Sequence, residues 1–324
     1  MKFESILISL LCLFTAAVSA SPINFGVAGD FNAFFSGNMV AHDSDLEGRL
    51  AVGGNLSLKD YSIGMELSNS HGQRDDLIVG GQINFTNGRI YNGNARSSDT
   101  TNPFDETVGF YSDDPKTPNG SFISGNPIDF SAAESHLKEQ SNNISGLANR
   151  GTKIMNPAGE LRLTGSQGVN VFTLSNTEIA DVSAFYIDAP VDSNVKINNS
   201  GGDVEFSNFG FFRNGDRIPD NQDEIRHDGS LTDGVLFNLF EATAVDIFSI
   251  AVKGSILAPS ADITFYDGHI DGQLMGTSFN GDVPGECCSG QINNYAFSPV
   301  PLPPAIVIFM SGLLGFLGMH RLKK

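Results

Sequence analysis

A mostly-β fold of short strands, with one helix laid against them, follows from three observations on this chain. Glycine supplies 36 of the 324 residues and clusters with Asn, Ser and Asp as turn chemistry. Between the clusters stand apolar pieces of strand length, rich in β-branched residues. A single segment has helical spacing and a capping pattern instead.

The strand-sized pieces are Arg49 to Val52, Leu77 to Val79, Val169 to Leu174, Ala184 to Ile187, Val195 to Ile197, Val204 to Phe206, Ser255 to Ala258 and Asp262 to Phe265. Val195-Lys196-Ile197 and Ile263-Thr264-Phe265 alternate, so one side chain faces inward and the next outward. Such strands at irregular spacing fit either a sandwich or a solenoid of stacked coils, and no strict repeat length separates the two. The helical exception begins at Phe130-Ser131-Ala132-Ala133-Glu134 and continues through Leu137, Ile144 and Leu147. Ser131 with Glu134 reads as a capping box, and Gly146 and Asn149-Arg150-Gly151 supply the stop.

With 19 Lys plus Arg against 37 Asp plus Glu, the net charge is −18. A surface of that sign repels phosphate backbones, so nucleic acid is excluded as a partner. The ends differ in character from the middle. Lys2, an apolar run from Ile6 to Val18 and Val18-Ser19-Ala20 make residues 1–20 a secretory signal, cut after Ala20. Near the other end, Ala305 to Met319 carries no charge and precedes His320, Arg321, Lys323 and Lys324. As a helix this run is about 22 Å long, a minimal membrane span helped by snorkelling cations that stay in the cytoplasm. Residues 21–298 are thereby expected outside the cell as one extracellular domain, ahead of an anchoring segment at 299–324.

Val300-Pro301-Leu302-Pro303, followed by an apolar stretch with Ser311-Gly312 and a basic end, resembles the PEP-CTERM class of bacterial sorting signals. That resemblance implies an exosortase-type sorting enzyme as partner, removal of the tail and delivery to the cell surface or matrix. Pro304 stands where the class usually has Ala. A second resemblance covers most of the remaining chain. Ser44 to Asn55, containing Asp45, Glu47, Gly48, Arg49, Gly53, Gly54 and Asn55, the central helix, and Gly254 to Ala261 with Asp271-Gly272-Gln273 are similar to the choice-of-anchor A domain. Related surface domains with the Ile256-Leu257-Ala258-Pro259 type of rung imply a right-handed β-helix, or solenoid, flanked by one α-helix.

The chain contains no G-x-S-x-G elbow, phosphate loop, C-x-x-C pair or H-E-x-x-H helix, and no His has metal-ligand spacing to another His or Cys. Paired carboxylates for glycan cleavage are available at Asp45 with Glu47 and at Asp223 with Glu224. For Asp45 and Glu47, bonding to backbone NH groups in a turn is the favoured role. Asp216, Asp220, Asn221, Asp223 and Glu224 form the densest set of oxygen ligands, making calcium the one cofactor the chain suggests, although the spacing is not that of an EF-hand. Cys287 and Cys288 are adjacent and cannot staple distant segments.

These observations rank a non-catalytic matrix or adhesion protein first, binding polysaccharide or another surface protein along a β-helix face. An ice-binding-like β-helix protein comes second, set back because outward residues such as Asp262, Thr264 and Tyr266 do not form a threonine ladder. A glycan-active enzyme comes third.

Overall fold

The strands stack as coils of a β-helix, and the reason begins in its corners. In the computed structural model, which describes residues 23–111, 120–219 and 227–298, each coil turns where small residues let one backbone lie on the next. At the first corner Gly53 N donates to Phe35 O at 2.8 Å, Gly54 N to Gly37 O at 2.8 Å, and Asn55 N to the Asn38 side chain at 2.8 Å. One coil further, Gly80, Gly81 and Gln82 repeat the pattern on Val52, Gly54 and the Asn55 side chain. A Cβ at Gly53 would lie 2.3 Å from Ser36 O, so only glycine permits this stacking.

The second corner is a single residue in the left-handed region. Asp43, Asp60 and Asn87 hold it in successive coils, and Asn208, Ser249 and Asp267 hold it in others, with φ between 47° and 58°. Asp and Asn visit this region more readily than other side-chain-bearing residues because their short polar groups bond locally. The strands Met39–Leu46 and Leu56–Ile63 therefore bend without losing register, His42 opposite Lys59 before the corner and Ser44 opposite Tyr61 after it.

Three faces result. On the first, ten strands run parallel in the order Val169–Ser175, Asn194–Ser200, Val235–Asn238, residues 255–258, Leu274–Asn280, Ala33–Phe35, Leu50–Val52, Asp75–Val79, Asn94–Ser97 and Phe122–Ser124. The coil nearest the carboxyl end thus pairs with the first coil of the chain, Ala33 opposite Leu274. Inward residues of all faces, among them Phe35, Leu50, Phe185, Phe206, Phe237 and Phe265, form one continuous core.

Helix α1 (Phe130–Ser145) lies on the outside of the first face. It buries Phe130, Ala133, Leu137 and Ile144 against a row of outward residues that includes Phe34, Ala51, Ile78, Leu236, Leu257 and Met275. Asn238 Nδ2 donates to Ser141 O at 2.9 Å and Asn198 Nδ2 to Ile144 O at 3.1 Å, which fix the last turns on the sheet. The expected helix and its Gly146 stop are present, but the cap is Asp129, which accepts from Ala132 N at 3.0 Å. Glu134 pairs with Lys138 instead of closing a box on Ser131. The capping box of this fold is at Ser175 and Glu178, which start the short α2 (Asn176–Ala180).

Alternation at Val195 and Ile197 is as expected, with both in the core, yet Lys196 on the opposite side is also buried, at 3 % exposure. That burial lowers the pKa of its amine. Among the described residues no helix is long and apolar enough to cross a membrane. The signal at residues 1–20 and the segment carrying Val300, Pro301, Leu302 and Pro303 lie outside the described residues.

Replacing Gly53 by Ala drives a methyl group into Ser36 O and into the Phe130 ring, whose nearest atom lies 2.8 Å away. Overpacking of this kind costs about 1–3 kcal/mol. The expected result is a lower urea midpoint with an unchanged slope, and an unaltered midpoint would contradict the corner argument.

Candidate functional site

The second face carries no helix. Its seven strands place outward residues in registered rows, the longest being Glu205, Asp246, Thr264, Asn280, Val40, Ser57 and Asn84. A neighbouring row begins Ser207, Phe248 and Tyr266. The Phe248 and Tyr266 rings lie parallel, 5.4 Å apart with a 6° interplanar angle, and both are half-buried. The strand Leu274–Asn280 ends before reaching this row, and the chain after it loops over the face. Ser289 N donates to His42 O at 3.0 Å and Ser289 Oγ accepts from His42 N at 2.8 Å, so the loop takes the place of a strand. Cys287 and Cys288 form a vicinal disulfide in this loop. Beyond it the row resumes with His42, Lys59 and Thr86.

Between the loop and these strands lies a cleft of about 660 Å³, lined by His42, Lys59, Asn84, Thr86, Asp282 and Glu286 among others. His42 Nδ1 is 2.8 Å from Asp43, and its Nε2 is 3.5 Å from Asp282. Cleft and aromatic pair together form a polar strip with one apolar platform, an arrangement suited to a sugar polymer. The strip offers carboxylate, amide and imidazole groups to hydroxyls, and the rings offer a flat apolar surface of the size of a pyranose C–H face.

The third face holds Asp45 and Glu47 of the sequence motif. Glu47 Oε2 accepts from Asn294 N at 2.9 Å, the backbone role expected for it, and Gly48 N donates to the Asn32 side chain at 3.2 Å. Arg49 donates to Asp75 O and Asp30 O, both at 3.0 Å, and lies 4.3 Å over the Phe31 ring. Gly53, Gly54 and Asn55 belong to the first corner. Glu47, Gly48, Arg49, Gly53, Gly54 and Asn55 of the motif are therefore coil-stacking residues, while the backbone bond expected of Asp45 is not among the hydrogen bonds of the described residues. Burial pushes the Asp45 carboxyl up to about 6 and the Glu47 carboxyl up to about 7, and the Glu66 carboxylate adds to both.

Sequence spacing misses one constellation on this face. Where the ladder breaks between Gly210–Arg213 and Ala244–Lys253 there is a cleft of about 560 Å³ lined by Arg217, His227, His269 and Gln291 among others. Lys253 and Asp271 form a buried ion pair in its wall, with Asn293 Nδ2 donating to Asp271 Oδ1 at 2.5 Å. The 18-residue coil step that puts Lys253 opposite Asp271 is the signal that could have found it. Asp216 is exposed in a hairpin opposite Arg213, and Asp220, Asn221, Asp223 and Glu224, the rest of the expected calcium set, lie outside the described residues. Asn55 and Asn198 each begin an N-x-S/T pattern in the sequence; Asn55 is a corner acceptor and Asn198 is buried beneath α1.

A family profile described as "Putative Ice-binding-like adhesive domain" matches residues 24–287. Similar solved structures include an ice-binding protein from the Antarctic ascomycete Antarctomyces psychrotrophicus, at 12 % identity, 84 % of this chain, 98 % of that chain and a TM-score of 0.38. The ice-binding protein LeIBP from an Arctic yeast follows at 12 %, 87 %, 96 % and 0.35. The DUF3494 domain of Shewanella frigidimarina ice-binding protein 1 gives 12 %, 84 %, 97 % and 0.32. No curated protein matches the chain.

The raised carboxyls on the third face make stability depend on pH. Because the folded state holds the Glu47 proton to about pH 7 while the unfolded chain releases it near 4.5, stability falls as pH rises through that window. Glu47→Gln keeps an acceptor for Asn294 N and removes the charge. Its Tm should match the parent at pH 4 and exceed it by about 2–4 °C at pH 8, taking on the order of 1 kcal/mol after solvent screening. Equal Tm values at pH 8 would count against a buried charge there.

Proposed function

The chain belongs to the ice-binding-like adhesive domain family, and from that premise we propose that it is an extracellular adhesin that holds a hydroxyl-rich polymer against its second face. Of the two leading readings of the sequence, the ice-binding-like β-helix is the one the family match describes best, and the word adhesive carries the binding half of the other. The observation that supports a polysaccharide ligand is the row that starts at the stacked Phe248 and Tyr266 and leads over the Cys287–Ser289 loop to the cleft at His42.

The physical case is additive. Each aromatic contact with a sugar ring supplies dispersion and apolar burial, and each hydroxyl pairs with a group already fixed by the sheet, so little side-chain entropy is lost. Ice is the second reading, favoured by the family description and by seven strands repeating at about 4.8 Å. Against it, the longest row mixes Glu205, Asp246 and Val40 with Thr264 and Ser57. Carboxylates hold their own hydration water and interrupt an ordered array.

Within the same proposal the protein is exported by its amino-terminal signal and displayed on the surface. Val300-Pro301-Leu302-Pro303 presents the tail to an exosortase-type enzyme, and the apolar segment after it serves as membrane anchor until that step. The resemblance of Ser44 to Asn55 to the choice-of-anchor A domain supports this surface assignment.

The test is co-sedimentation of the purified chain with extracellular polysaccharide, run beside ice-recrystallisation inhibition on the same preparation. Tyr266→Ala should weaken polysaccharide retention about tenfold, the loss of about 1.4 kcal/mol, while Tyr111→Ala should not. Retention equal in all three proteins would remove the second face as the binding surface. Inhibition of recrystallisation at micromolar protein, abolished by Thr264→Asp, would replace the polymer by ice.

A further inference from the structure

We infer that His227, His269 and Asp271 form a binding site for a zinc-class divalent metal, beside the gap where the third-face ladder is interrupted. The three side chains offer ligand atoms that all lie within 4.8 Å of one another, although His227 is far from the other two in sequence. The rings of His227 and His269 are 4.5 Å apart at their centroids, in an edge-on arrangement. Two imidazoles and one carboxylate are a donor set for zinc, which takes nitrogen and oxygen ligands at about 2.0–2.2 Å in a tetrahedron. Closing the present spread around an ion requires shifts on the order of an ångström, within the reach of side-chain rotation.

The surroundings are arranged as the outer shell of such a site. Lys253 and Asn293 each engage one oxygen of Asp271 and so fix the carboxylate, while Asn293 Nδ2, a donor 2.8 Å from His227 Nδ1, occupies an imidazole lone pair that an incoming ion has to displace or leave for the other ring nitrogen. Groups that orient metal ligands in this way raise affinity and select the geometry. The fourth position faces the cleft, because His227 and His269 both line it, and solvent or a ligand group reaches the ion from there. Lys253 Nζ is also 3.5 Å from His269 Nε2, so the incoming ion shares Asp271 with an ammonium. That repulsion makes the expected affinity weaker than that of an all-anionic zinc cage.

The role follows from position. His227 stands in the turn that leads into Val235–Asn238, while His269 and Asp271 stand in the long strand Ser255–Asp271, both strands belonging to the larger sheet. No strand pairing joins the two sheets among the described residues. A metal bound to all three residues pins the turn at His227 to the strand that borders this break.

The test uses the full chain, freed of any affinity tag and stripped with EDTA, titrated with Zn²⁺ alone. Equilibrium dialysis should give one zinc per chain, and Tm should rise by about 5 °C at a hundredfold excess over Kd. His227→Ala and His269→Gln should each weaken uptake at least tenfold and remove the Tm rise. His42→Ala and the Cys287→Ser, Cys288→Ser double variant should bind as the parent does. His227 is half-buried in a turn, so His227→Ala carries the test even if His269→Gln fails to fold. No stoichiometric uptake, uptake that survives in His227→Ala, or uptake lost in the His42 or cysteine variants would each overturn the assignment.

Discussion

The pairing of Ala33–Phe35 with Leu274–Gly276 is the joint on which the rest of this molecule depends. Coils from the amino-terminal part stack away from it in one direction and coils from the carboxyl-terminal part in the other. Leu274 N donates to Asn32 O at 2.9 Å, Phe279 N to Asn38 O at 2.9 Å and Gly281 N to Val40 O at 2.8 Å, so the seam is hydrogen-bonded along two faces. Asn32, buried at the third corner, adds side-chain bonds to Gly272 O and Asn293 O. Without this seam the chain would be two short solenoids, each with an open edge that exposes unpaired backbone.

The seam also dictates where the helix must go. A chain that leaves the stack after Phe122–Ser124 and resumes at its opposite end has to travel along one side. With sixteen residues, α1 contributes about 24 Å of that path and covers the first face as it goes. Apolar outward residues such as Phe34, Ile78 and Met275 are tolerated only because the helix lies over them. Faces two and three have no such cover, so their outward rows mix polar and aromatic side chains without a packed aliphatic layer, and any ligand as broad as a polymer or a crystal surface has to use them. Connectivity, more than any single side chain, thereby selects the binding face.

How much of this was legible in the sequence depends on the range of the interaction. Strands such as Leu50–Val52 and Asp203–Ser207, and the start of α1, are encoded by neighbours in the chain and read correctly. Asp129 and Ser131 both suit a helix cap, and only backbone geometry distinguishes them. The repeat was hidden for a different reason. Steps of 17 and 18 residues connect Ala33 to Leu50 and Ile256 to Leu274, but insertions lengthen the step from Leu50 to Leu77 and from Val195 to Val235. A stack that is not in chain order cannot be recovered from period alone. The same folding-back brings His227 to His269 and gives neither residue a local pattern.

Charge narrows what the second face can hold. The chain carries −18 overall, and Asp203, Glu205, Asp246 and Asp262 stand on the uncovered rows. An anionic polysaccharide laid on this surface meets like charge within a few ångströms, well inside the roughly 8 Å screening length of physiological salt. A neutral polymer instead finds carboxylates that accept hydroxyl hydrogen bonds, the stronger class in which one partner is ionised. Lys59 puts a positive group of this face at the cleft, away from the acidic strands. If the proposed polymer is the ligand, the charge of this face therefore favours a neutral chain over an anionic one.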